Sequence, residues 1–77
     1  MVDKAEQLLL NLGFHQIRVR IHGTIARIEV LPSEFPKLIQ WDHRRAIADS
    51  LRRFGFSYAT MDLMGYRTGS MNEVLDH

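Results

Sequence analysis

The stretch QIRVRIHGTIARIEV, residues 16–30, decides how this chain folds. Ile17, Val19 and Ile21 take one parity, and Arg18, Arg20 and His22 take the other. Successive side chains of a β-strand leave opposite faces, so this run buries one face and lines up three basic groups on the other. Gly23–Thr24 then offers a tight turn. A second alternating run, Ile25 to Val30, buries Ala26, Ile28 and Val30 and turns Arg27 and Glu29 the other way. The reading is a β-hairpin with its charges on one side.

Helical patterns flank the hairpin. Ala5, Leu8, Leu9 and Leu12 fall on one face of a helix over Asp3 to Leu12. Asp3 with Glu6 forms its expected capping pair, and Gly13 its left-handed terminator. After Leu31–Pro32–Ser33, Ser33 is expected to cap a short helix holding Phe35, Leu38 and Ile39, with Pro36 in the first turn. Asp42 is expected to cap a longer helix whose stripe is Ala46, Ile47, Leu51 and Phe54, stopped by Gly55. A third strand, Phe56 to Leu63, sets Ala59, Met61 and Leu63 against Tyr58, Thr60 and Asp62.

An internal echo supports this parse. At an offset of 42 residues Leu9 returns as Leu51, Gly13 as Gly55, Phe14 as Phe56 and Gly23 as Gly65. Two copies are too few for a solenoid. The expectation is an α+β fold in α-β-β-α-β order with this pseudo-repeat: a small, mostly antiparallel sheet, the hairpin plus a third strand, with helices packed on one face. The first strand of the hairpin is expected at its centre, beside the third. Residues 1–63 form the core domain. Residues 64–77 form a glycine-containing C-terminal arm, with a short helix expected at the Ser70–Met71–Asn72–Glu73 capping box.

Composition narrows the function classes. Seventy-seven residues make one domain at most, near the lower size limit for a self-sufficient core. Ten Lys and Arg against nine Asp and Glu leave a net charge of +1, far from the basic excess of a domain built around nucleic-acid phosphates. Nucleic acid is therefore not the expected partner. The absence of cysteine removes disulfides, thiolate metal sites and a cysteine nucleophile, and agrees with a cytoplasmic setting. No apolar run reaches membrane-spanning length.

Three constellations bear on chemistry. Arg18 and Arg20 lie roughly 6.6–7 Å apart along one strand face, close enough for two guanidinium forks to hold one phosphate. The same pattern also describes a solvated face laced with weak cross-strand ion pairs. In the arm, Arg67 beside the helix start at Ser70 is a candidate anion site, set against an arm that simply packs or frays. Arg45 and Arg52 share a helix face, but Asp49 stands four residues from both Arg45 and Arg53, the spacing of intrahelical ion pairs. The four histidines form no metal-ligand set, no nucleotide-binding glycine loop is present, and no catalytic residue is assigned.

The order AEQLLLNLGF, IRVRIHG, ARIEV, LRRFGF, MDLMGYRTGSMNE runs over nearly the whole chain. It resembles the C-terminal region of the LarE-type ATP-dependent sacrificial sulfur transferases of the PP-loop superfamily. That family serves nickel-pincer nucleotide biosynthesis, activating a pyridinium biscarboxylate mononucleotide with ATP and converting its carboxylates to thiocarboxylates. The resemblance implies that Arg18 and Arg20 contact the substrate phosphate. It also implies that Glu6 and Glu29 are substrate- or metal-proximal, the identity of any metal being open. ATP and Mg2+ are implied for the full-length enzyme and no cofactor for this chain, whose partners would be an N-terminal PP-loop domain and further copies of itself. The alternatives are a small RNA- or nucleotide-binding module using the sheet face, with Tyr58 as a stacking platform, and a purely structural oligomerisation domain.

Overall fold

The structure, a computed structural model, describes residues 2–66. Helix α1 (Val2–Asn11) precedes strands β1 (Ile17–His22) and β2 (Ile25–Val30). A 3-10 turn (Pro32–Glu34) runs into the short helix α2 (Phe35–Ile39), followed by α3 (Trp41–Arg53) and β3 (Tyr58–Met61). The class is α+β in the expected order.

The three strands lie in the order β1-β2-β3. β1 pairs antiparallel with β2, whereas β3 joins β2 in parallel. The sheet is therefore mixed, and its centre is the second strand of the hairpin, not the first. Two features explain the order. The segment from Pro32 through α3 is long enough for the crossover that a parallel pair requires. The outer edge of β1 is meanwhile engaged by α1, whose Glu6 carboxylate accepts the Val19 N–H at 3.0 Å. Glu6 thus reaches across to a strand and forms no capping pair with Asp3.

The sequence echo is a repeated helix stop. Phe14 N–H donates to Leu9 C=O at 3.2 Å and Gly13 N–H to Leu10 C=O at 3.0 Å. Phe56 N–H donates to Leu51 C=O, and Gly55 N–H to Arg52 C=O, each at 3.0 Å. Both are Schellman closures, which need a left-handed residue after the helix. Gly13 and Gly55 supply it at φ +99° and +106°. In each unit the next aromatic, Phe14 or Phe56, drops into the core. The two units carry β1 and β3 in opposite directions on either side of β2.

The core fills the helix side of the sheet. Ala5 and Leu9 of α1, Val19 of β1, Ala26, Ile28 and Val30 of β2, Leu38 of α2, and Ile47 and Leu51 of α3 are buried there with Phe14 and Phe56. Leu8, Leu12, Ile17, Phe35, Phe54 and Met61 pack around them.

Three local expectations are corrected. α3 starts one residue before Asp42, with Gln40 as its N-cap, and Asp42 sits within the first turn. There its charge still complements the helix dipole. Ser33 lies inside the 3-10 turn, whose N-cap Leu31 makes no side-chain cap bond. β3 is shorter than its alternation, and Leu63 is exposed instead of buried. Asp62 ends the strand: its N–H still reaches Ile28 C=O at 2.9 Å, while its Oδ1 accepts Met64 N–H at 2.9 Å and its C=O accepts Gly65 N–H at 3.0 Å. That local turn competes successfully with further ladder bonds. Beyond it Tyr66 N–H donates to Val30 C=O at 2.7 Å. Arg67, Ser70 and the capping-box helix lie outside the described residues. Among the described residues no helix is long and apolar enough to cross a membrane.

Candidate functional site

The face of the sheet away from the helices carries the polar parity of all three strands. In the β1–β2 ladder Arg18 stands opposite Glu29, Arg20 opposite Arg27 and His22 opposite Ile25. In the β2–β3 ladder Arg27 stands beside Thr60 and Ile25 beside Tyr58. Alternation alone accounts for this set, because side chains two apart share a face and register aligns them across strands. The structure brings together Arg18, Arg20, Arg27, Glu29 and Asp62 on the face where the alternation of the three strands put them.

Glu29 organises the cluster. It is only 5% exposed although it lies on the open face. Its Oε2 lies 3.2 Å from Arg27 Nη2 and 3.5 Å from Arg20 Nε. Arg27 Nε sits 3.6 Å from Asp62 Oδ2, too far for a hydrogen bond, and is buried without a hydrogen-bond partner. Removing a carboxylate from water is tolerated only where cations and donors replace the water, and here two guanidinium groups do so. Arg18, across the ladder from Glu29, is exposed and makes no ion pair among the described residues. Arg20 keeps nearly half of its side chain open to solvent.

Three guanidinium groups against two carboxylates leave the cluster one positive charge in excess. Such a face can hold an oxyanion: guanidinium forks donate paired, charge-assisted hydrogen bonds to carboxylate or phosphate oxygens. Glu29 braces Arg20 and Arg27, restricting the side chains that would do the holding.

Glu6 is placed elsewhere. It belongs to the helix layer, with its carboxylate at the outer edge of β1, whereas Glu29 faces the opposite side of the sheet. Among the described residues no three His, Asp or Glu side chains gather as a metal site. With Glu6 held by a backbone N–H and Glu29 by two guanidinium groups, these carboxylates do not fit a divalent cation as they stand.

Other candidates resolve into structure. His15 and Lys37 clasp Glu34, with His15 Nδ1 at 3.1 Å and Lys37 Nζ at 3.6 Å from Oε2. His43 Nδ1 lies 2.9 Å from Lys37 C=O, and its ring meets Phe14 edge-on. Arg45 pairs with Asp49 at 3.8 Å, but Arg53 donates to Ser50 Oγ instead of to Asp49. Trp41, exposed at the start of α3, has the Arg44 and Arg45 guanidinium groups about 5 Å from its ring centre. The sequence reading passed over Ile25 as a member of the open face, although its odd number, shared with Arg27 and Glu29, was the available signal.

Fold and face together describe a small α+β domain with a braced arginine cluster on a sheet face that none of the described elements covers. No protein-family model matches the chain. Two curated relatives match over 96% of it. One, 41% identical, is the pyridinium-3,5-bisthiocarboxylic acid mononucleotide synthase of Lactiplantibacillus plantarum, of which the chain covers 26%. The other, 39% identical, is an uncharacterized protein of Synechocystis, of which it covers 28%. The chain thus spans about a quarter of the length of the curated relatives it matches. Over that span it is similar to a LarE-type synthase domain.

Proposed function

We propose that this chain is the substrate-phosphate-binding domain of an ATP-dependent sulfur transferase that converts a pyridinium biscarboxylate mononucleotide to its thiocarboxylate. The relative from Lactiplantibacillus plantarum is named for the synthesis of such a mononucleotide. The observation that carries the reading is the pair Arg18 and Arg20, adjacent on one open strand face, with Arg18 unengaged by any described carboxylate and Arg20 braced by Glu29. Two guanidinium groups held side by side position a phosphate and, through it, the rest of the nucleotide for chemistry elsewhere. On this reading activation by ATP with Mg2+ and sulfur delivery belong to a PP-loop domain that precedes this one in the full-length enzyme. This C-terminal domain contributes anchoring of the substrate and contacts between copies, in the cytoplasm.

Titrating nicotinic acid mononucleotide into the isotopically labelled chain tests the reading. Amide and guanidinium signals of β1 and the facing part of β2 are expected to shift together, and the effect is expected to weaken steeply with salt because exposed charges are screened. Shifts confined to α2 and α3, or none at millimolar ligand, would count against it.

A further inference from the structure

The open sheet face has two halves of different character. Arg18, Arg20, Arg27, Glu29 and Asp62 form the charged half. Beyond them, at the end of the sheet where β2 and β3 begin, Ile25 and Tyr58 stand side by side in parallel register. Tyr58 is 66% exposed and Ile25 37% exposed. Their positions on the polar parity of each strand take them out of the core, so the core does not account for them. Among the strand residues described on this face, Tyr58 carries the one phenyl-type ring; the other aromatic ring is the His22 imidazole, opposite Ile25.

We propose that Tyr58, flanked by Ile25, is the platform for the pyridinium ring of the mononucleotide whose phosphate Arg18 and Arg20 hold, and that it sets the direction in which the nucleotide lies across the sheet. The proposal rests on the phosphate reading above and extends it to the other end of the ligand. From Arg20 the register leads across two strand spacings and two residues along to Tyr58, a backbone separation of about 12 Å, which the reach of the arginine side chain shortens. A ribose linking a ring to a phosphate runs between the two halves. The two ends of the ligand differ in what they need: the phosphate takes the charge-assisted hydrogen bonds of the arginines, and the flat ring has a π-face that stacks on the exposed phenol of Tyr58. Thr60, between the two halves beside Arg27, turns its hydroxyl to Ala26 C=O at 3.3 Å and so competes for neither end.

The test compares two probes on the 77-residue chain: ribose 5-phosphate, which lacks the ring, and nicotinic acid mononucleotide, which carries it. The mononucleotide is expected to bind about tenfold more tightly, with the Tyr58 ring protons moving upfield for that probe alone. Tyr58→Ala is expected to close the gap between the probes, and Tyr58→Phe to preserve it, since the ring face and not the hydroxyl does the holding. Tyr58 is exposed, so neither substitution threatens the fold. Equal affinities in the unsubstituted chain, or a gap that survives Tyr58→Ala, overturns the platform while leaving the phosphate reading intact. Failure of both probes to bind removes that reading and the platform with it.

Discussion

Arg18 and Glu29 face each other directly in the β1–β2 ladder, yet the Glu29 carboxylate is committed to Arg20 and Arg27. Opposite charges directly across a ladder attract and stabilise the sheet. Here the nearest acid is taken by two other cations, leaving Arg18 without an ion pair among the described residues. Under the proposed phosphate-binding reading, that asymmetry gives the arginines different parts: Arg18 would meet the ligand, Arg27 would be structural, and Arg20 would be shared between the two.

Glu29→Gln tests this division. Two guanidinium groups lose their charged partner, so stability is expected to fall by about 1–3 kcal/mol in urea denaturation. Binding of ribose 5-phosphate is expected to tighten several-fold, because a competing anion has left the cluster. Loss of stability together with loss of binding would assign Glu29 a direct role toward the ligand.

Glu6→Ala separates the two acidic residues. Removing the acceptor frees the Val19 N–H at the β1 edge, at an expected cost of about 1–2 kcal/mol. Phosphate affinity is expected to stay the same, since Glu6 acts on the helix side of the sheet. A variant of unchanged stability that no longer binds would place Glu6 at the ligand.

How much of this was readable from the chain depends on the range of the force involved. Alternation in residues 16–30 identified both strands and which charged side chains share the open face, because strand periodicity is local. The glycine stops were equally plain, since only a left-handed residue closes those helices as observed. Strand order was not readable. It turns on Glu6 occupying the β1 edge and on the crossover placing β3 beside β2, interactions between residues far apart in sequence. The length of β3 was misread for a related reason: the Asp62 turn outweighs the alternation that continues to Leu63. Arg18 and Arg20 could be placed on one face from the sequence, with a carboxylate of the paired strand among the arginines, but that Glu29 would engage Arg20 and Arg27 and not Arg18 could not.

Gly65→Ala is expected to be among the costlier single-methyl additions in the chain. The residue adopts φ +81°, and an added Cβ would lie 2.8 Å from Val30 C=O and 3.1 Å from the Pro32 ring. Left-handed strain alone costs about 1–2 kcal/mol. With backbone on the other side of the contact, the total is expected to exceed that, seen as a fall in melting temperature of several degrees or more.

Acid is expected to loosen the clasp between the end of α1 and the Pro32–Glu34 turn. Burial disfavours the Glu34 charge, but hydrogen bonds from the His15 ring and backbone, with the charge of Lys37, outweigh it and hold the carboxyl below its ordinary range. A lowered folded-state value means the stabilisation is fully present above the unfolded value and is lost as pH falls through the folded one. Denaturation midpoints measured from about pH 6 to pH 3 are expected to decline in the native chain. In Glu34→Gln the decline is expected to be shallower, and equal slopes would remove Glu34 from the account.

The most direct measurement is the affinity of ribose 5-phosphate for Arg18→Ala, Arg20→Ala and, as a control on a helix, Arg52→Ala. Circular dichroism would verify that each variant is folded. Both β1 variants are expected to weaken binding about tenfold or more, with Arg18→Ala the larger loss and Arg52→Ala without effect. Unchanged affinity in Arg18→Ala, in a folded protein, would contradict the claim that this strand face holds the phosphate.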